Sequence, residues 1–355
     1  MKRSVAVFAL LVAPVLAQPP SLTINTGTPE GQLLQSIGQE TDDAKKVQLE
    51  EDFLAKYPKH EGAPWVAEQL TTSYVQQKQF DKALEAADKG YSGGPGEVDL
   101  CFNAVKAAEQ KGDAEALKKW AEHTAEVTQK VKSDDKATAD HAKEVATYGE
   151  YALYAQASKS RDPKAIVDLA EALEKVNPKS QYMWLVTPRY LAALAGKGCA
   201  EATKLATADS KNAEAMIYSA ECGWRGNNAA AAISNGSRAL EALASRPKVD
   251  GGNEGGKAAQ ANFLIGVGNA MQQRWGPANK ALRAALPGLK GDPTYEANAL
   301  FNLGLANYQL GHAIGDKGQI REGLKYFEQA AAMKSGVQDQ ASRNVAAIKK
   351  ELGLP

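Results

Sequence analysis

Residues 298–311, NALFNLGLANYQLG, followed after a turn by residues 321–332, REGLKYFEQAAA, decide the fold, because together they read as one complete helical hairpin. Leu300, Leu303, Asn307 and Leu310 recur at the spacing of one helix face, while Gly304 and Ala306 leave room for a neighbouring helix to approach closely. Gly311 is expected to end that helix, so that His312 to Gln319 (HAIGDKGQ) becomes a long turn. In the second half Leu324, Phe327, Ala330 and Ala331 form another apolar stripe. Two such helices bury only part of their apolar surface against each other, so further copies must stack alongside.

The pairing resembles the tetratricopeptide repeat (TPR), with Leu300, Leu303, Gly304, Gly323, Phe327 and Ala330 at the family's positions. It departs at Asn307, where the family has Tyr, and in the longer turn. Worn copies recur upstream. Thr71 is followed after 12, 16 and 19 residues by Ala83, Ala87 and Gly90, and Val105 by Leu117, Ala121 and Thr124 at the same offsets. Tyr154 leads likewise to Ile166, Ala170 and Leu173, and Gly266 to Ala278, Leu282 and Ala285. Two less regular hairpins cover Tyr182 to Asp209 and Ala213 to Leu243. In the first of these, Pro188 is expected either to kink the helix or to mark a start capped by Thr187. Roughly eight hairpins result, closed by a polar-faced helix over Ser335 to Leu352. The resemblance implies an all-α fold, a right-handed superhelical solenoid of antiparallel helix hairpins.

Outward from the repeats, residues 1–17 read as a secretory signal: Lys2 and Arg3, then an apolar run from Val5 to Val12, then Val15-Leu16-Ala17 as a cleavage site. Export to a periplasmic or extracellular compartment follows as an expectation. Residues 18–30 read as a flexible lead-in, residues 31–245 as an N-terminal block of hairpins, and 258–355 as a C-terminal block with its capping helix. Between the blocks, RPKVDGGNEGGK (246–257) reads as a Gly-rich mobile loop.

The composition excludes several functions. The 42 basic and 42 acidic residues balance, and removing Lys2 and Arg3 leaves 40 against 42, a net charge of −2, which speaks against nucleic acid. No stretch beyond the leader is long and apolar enough to span a bilayer. The four histidines, His60, His123, His141 and His312, are scattered without metal-ligand spacing, and no nucleophile or phosphate-loop motif follows a strand. No cofactor, metal or catalytic residue is therefore assigned. Of three cysteines, Cys199 opens a second helix and Cys222 ends the next first helix. Because these helices run antiparallel, the pair sits at matching heights, and a disulfide and two small buried side chains stand as equal readings.

The TPR resemblance implies a non-enzymatic scaffold that binds a protein or peptide along the concave face lined by first helices. Carried over by position, that face would include Trp65, Tyr148, Tyr151, Trp224, Phe263, Phe301 and Tyr308. Burial of these rings in the inter-helix core is the competing expectation. The alternative function is a carrier or assembly factor for envelope polysaccharide or lipid, and an enzyme ranks below both.

Overall fold

The computed structural model describes residues 24–355 apart from 93, 95, 250 and 251. The leader assigned to 1–17 and the start of the lead-in lie outside the described residues. Among the described residues there are seventeen α-helices, a short 3-10 turn at Leu286–Gly288, and no strand. The chain is all-α and built of TPR-like antiparallel hairpins. It forms two compact units that divide between Leu153 and Tyr154, inside one helix and not at the Gly-rich segment 246–257.

Unit 1 holds α1 (Pro29–Gln39) with α2 (Asp43–Lys56), α3 (Ala63–Gln76) with α4 (Phe80–Gly90), α5 (Val98–Lys111) with α6 (Ala114–Lys130), and the first part of α7 (Lys136–Lys159). Because α1 is capped by Thr28 and starts at Pro29, the end of the presumed lead-in is already helix. Unit 2 holds the rest of α7, α8 (Pro163–Val176), α9 (Gln181–Ala193) with α10 (Gly198–Ala208), α11 (Ala213–Arg225) with α12 (Ala229–Ser245), α13 (Glu254–Met271) with α14 (Trp275–Ala285), α15 (Pro293–Ile314) with α16 (Lys317–Ala331), and α17 (Gln338–Leu352).

One local device closes five of these hairpins. A residue in the left-handed region (Lys78, Gly112, Asn227, Gln273 or Gly315) turns the chain out of the first helix. The next backbone N–H then donates to a carbonyl five residues back: Gln79 to Tyr74, Asp113 to Ala108, Asn228 to Gly223, Arg274 to Asn269, Asp316 to Gly311. At Asp113, Asn228 and Asp316 the same residue caps the second helix with its side chain, so one residue ends one helix and starts its partner. That economy fixes the short turns and hence the antiparallel pairing.

Two local expectations are corrected, and at Pro188 one of two alternatives, the start capped by Thr187, is ruled out. Gly311 does not end α15, which continues to Ile314 and stops at Gly315, so most of 312–319 is helical rather than turn. Within α9, Pro188 is interior, the start is capped by Ser180, and the Thr187 hydroxyl donates to the Met183 carbonyl. Across the Gly-rich segment α12 and α13 pack tightly through a reciprocal pair. A Cβ on Gly236 would lie 2.8 Å from the Ile265 side chain, and one on Gly268 would lie 2.8 Å from that of Ile233. This stack is continuous, which is why the segment separates no blocks.

Both ends of the Gly-rich segment are tied to the fold by ion pairs. Arg246 is buried and donates to Glu214 at 2.6 and 2.8 Å, to Glu254 at 2.9 and 3.1 Å and to the Lys211 carbonyl at 3.1 Å. Its guanidinium lies 4.9 Å from the Trp184 ring centroid, and Lys257 also binds Glu214. Within α13, Glu254 and Lys257 occupy the first turn. In the same unit Cys199 and Cys222 are joined as a disulfide between the start of α10 and the end of α11, with Cα atoms 5.9 Å apart, while Cys101 of unit 1 is buried and free.

Candidate functional site

Stacking of hairpins sets first helix against first helix, α3 against α5 in unit 1 and α11, α13 and α15 in succession in unit 2. The residues on those helices that do not face their own partner therefore form a shared surface. In unit 1 this surface is polar and aromatic. Along α5 the buried stripe contains Leu100, Cys101, Ala104, Val105 and Ala108, and beside it runs a second stripe, Asp99, Phe102, Asn103 and Lys106, at i, i+3, i+4 and i+7. From α3 the facing residues are Glu68 and Thr72, and from α7 they are His141, Tyr148 and Tyr151.

These side chains are connected from helix to helix. The Asn103 amide donates to Thr72 Oγ1 at 2.9 Å, linking α5 to α3. Asp99 Oδ1 and His141 Nε2 lie 2.7 Å apart, linking α5 to α7, and the Tyr148 hydroxyl donates to Glu109 at 2.6 Å. Phe102 meets Tyr148 edge to face at 5.1 Å, Tyr148 lies 6.2 Å from Tyr151, and the Lys106 ammonium sits 3.8 Å from the Phe102 centroid. Tyr151 is 42% exposed.

Electrostatically the surface is under tension. Burial, reinforced by the neighbouring negative charge of Asp99, pushes the Glu68 carboxyl up to about 7. Burial lowers the Lys106 ammonium pKa, against a partial offset from Asp99. Tyr148 is raised by burial and by its bond to Glu109. Among the described residues no group of three His, Cys, Asp or Glu side chains is placed to hold a metal ion.

Of the seven aromatic positions carried over from the TPR resemblance, the structure brings only Tyr148 and Tyr151 together on this surface. Trp65 is half-buried and packs against the cluster of Leu34, Ile37, Phe53, Ala63 and Val66. In unit 2, Phe263 is fully buried, enclosed edge to face by Trp224 at 5.1 Å and Tyr295 at 5.0 Å, so it is core and Trp224 is its half-buried cover. Phe301 is likewise core, meeting Phe327 at 5.5 Å within the cluster of Leu300, Ile320, Leu324 and Ile348. Tyr308 packs against that cluster and donates to Glu351 of α17 at 2.9 Å. Phe263 and Phe301 are thus corrected from anchors to core. Sequence reasoning missed Glu68, Asp99, Phe102 and Lys106. The signal that finds Asp99, Phe102 and Lys106 is the second stripe of α5, displaced by two positions from the buried one.

No protein-family model and no curated protein matches the sequence. Among solved structures, the crystal structure of the yeast Tom70 aligns over 95% of this chain and 67% of its own, with a TM-score of 0.39 and 11% sequence identity. At that score and identity the likeness says nothing about partner or activity.

Proposed function

We propose that this chain is a non-enzymatic scaffold that binds a protein or peptide partner along the α3–α5–α7 surface of unit 1, and that it works in the cell envelope after export. The observation that carries the first part is the surface itself. Phe102, Tyr148 and Tyr151 offer rigid, half-buried to exposed rings, and Glu68 and Lys106 are groups held partly out of water that form no ion pair among the described residues. Aromatic anchors ringed by such groups are what interface hot spots are made of. Export is supported by the signal-like residues 1–17 and by the Cys199–Cys222 disulfide, which persists in oxidising compartments.

Selection of a random peptide library on the chain beginning at Gln18 tests the binding reading. Selected peptides are expected to protect α3, α5 and α7 from hydrogen exchange and to lose affinity on a Tyr148→Ala, Tyr151→Ala double variant. Peptides that bind the double variant as well as the parent would remove this surface from the function. For export, mass spectrometry of envelope-extracted protein is expected to find Gln18 at the N-terminus, and an intact Met1 on that material would overturn it.

A further inference from the structure

We infer that the partner segment presents a cationic side chain, Arg or Lys, which seats between the carboxyl groups of Glu68 and Asp99 with its stem beside the Phe102 and Tyr148 rings. This rests on the partner-binding reading above and names what that surface recognises.

The register of α3 and α5 places the two acids opposite each other. Thr72 and Asn103 are hydrogen-bonded across the helix pair at 2.9 Å. Glu68 precedes Thr72 by four residues and Asp99 precedes Asn103 by four, so Glu68 and Asp99 occupy the same level one turn back. At the upper level the two helices satisfy each other. At the lower level they bring together two groups of like charge, and only one of the two has a partner. Asp99 has His141 on its α7 side at 2.7 Å. Among the described residues no cation and no donor meets the Glu68 carboxyl, whose surroundings consist of buried protein and the charge of Asp99.

The fold's own cations do not relieve this. Lys106 stands two turns beyond Asp99 and is drawn onto the Phe102 ring, 3.8 Å from its centroid. His141 faces Asp99 and not Glu68. An incoming guanidinium or ammonium between the two carboxyl groups would be attracted by both, in a site already partly shielded from water, where charge-assisted hydrogen bonds are strong. The Lys106–Phe102 contact shows that this surface accepts a cation against a ring, and a guanidinium stacks on aromatic faces better than an ammonium does. An acidic segment would add a third negative group to the pair and be rejected. A metal ion is a poor occupant because no third ligand converges there among the described residues.

Fluorescence anisotropy with labelled heptapeptide pools tests this. The pools carry neutral mixed flanks and a fixed central Arg, Lys, citrulline or Glu, citrulline being the uncharged analogue of Arg. On the parent chain the Arg pool is expected to bind about tenfold more tightly than the citrulline pool, and the Glu pool most weakly. Glu68→Gln, close in shape to the original, is expected to shrink the Arg-to-citrulline ratio to about twofold. Asp99→Asn, a second variant that keeps its hydrogen bonding, is expected to reduce the ratio as well. Equal binding of the Arg and citrulline pools by the parent chain would overturn the cation assignment while leaving partner binding intact, as would a ratio that survives Glu68→Gln. Failure of every pool to bind would overturn the partner-binding reading itself, and the cation assignment with it.

Discussion

In unit 2 the Glu214 carboxylate is almost sealed from water and meets Arg246 and Lys257, whereas in unit 1 Glu50 is equally buried and neither of its oxygens has a hydrogen-bond partner. The consequences for charge are opposite. Burial pushes Glu214 up, but the hydrogen bonds from Arg246 and Lys257 outweigh it and leave the group below the usual carboxylate range. Burial pushes Glu50 up to about 7, with only a partial offset from Lys46; Ser73 is its polar neighbour but falls outside hydrogen-bonding geometry. The aromatic residues follow the same division. Trp224, Phe263 and Tyr295 of unit 2 close on one another, while Tyr151 of unit 1 stays open to solvent. A helix-hairpin repeat thus uses the same residue types for cohesion in one place and leaves them available in another, and what decides is whether a neighbouring helix supplies the missing partner.

The largest expected effect comes from breaking the satisfied side. Arg246→Ala would leave Glu214 buried without its bidentate partner, and loss of one member of a buried pair costs about 3 to 5 kcal/mol. Urea unfolding followed by tryptophan fluorescence is expected to show that loss in unit 2. A change below about 1 kcal/mol would mean that Lys257 alone satisfies Glu214 and that the anchoring of the 246–257 segment is incidental.

Glu50 tests the unsatisfied side through pH. An unfolded glutamate ionises near 4.5, whereas the folded group holds its proton until about 7. Below 4.5 both states are protonated and Glu50 contributes nothing. Between 4.5 and 7 the unfolded state releases the proton first, so rising pH favours unfolding, and above 7 the full penalty is present, on the order of 3 kcal/mol. Glu68 contributes in the same direction. Subtracting the stability profile of Glu50→Met from that of the parent isolates Glu50: the variant is expected to be the more stable chain at pH 8 and to lose its advantage by pH 4. A difference that does not change with pH would contradict the burial argument.

How far these features were legible in the sequence follows from the range over which each is determined. The hairpins were legible because the offsets of 12, 16 and 19 residues after Thr71, Val105 and Gly266 are set by packing within one hairpin. The extra turn of α15 was not, because Gly311 is a helix end by local preference and becomes interior only when it packs against Ile320 of α16. Arg246 lay hidden in a glycine-rich stretch whose composition reads as loop, and its partner Glu214 sits 32 residues upstream, in the first turn of the helix that opens the same hairpin. Tyr148 and Tyr151 could be named as surface rings, but nothing local distinguishes them from Phe263, whose burial depends on Trp224 and Tyr295 arriving from two other helices. Glu68 and Asp99 read as ordinary solvated charges until the Thr72–Asn103 bond sets the register between their helices.

The covalent link in unit 2 gives a further comparison. Cys199 and Cys222 are separated by 23 residues, and a loop of that size stabilises the folded state by roughly 3 kcal/mol in the chain-entropy account. Cys222→Ser is expected to lower the melting point of oxidised protein and to change little under reductant. Equal melting points with and without reductant in the parent chain would mean that the α10–α11 packing needs no link.

The smallest expected effect on stability belongs to Tyr151, and it is the sharpest test of the division between cohesive and available surface. Its ring is 42% exposed and lies at the edge of the Tyr148–Phe102 group, with no place in any of the buried clusters around Leu34, Leu70 or Leu300. Tyr151→Ala removes a ring that is 42% exposed and lies outside those clusters, and the change in unfolding free energy is expected to stay within about 1 kcal/mol. Binding should behave differently, since an exposed aromatic ring that anchors a partner loses on the order of 2 kcal/mol when truncated. The two measurements on one variant separate the readings: near-parental stability with lost peptide affinity marks Tyr151 as a residue kept for a partner, whereas a stability loss of about 2 kcal/mol or more would show that the ring is holding α7 to its neighbours and that the α3–α5–α7 surface is structural.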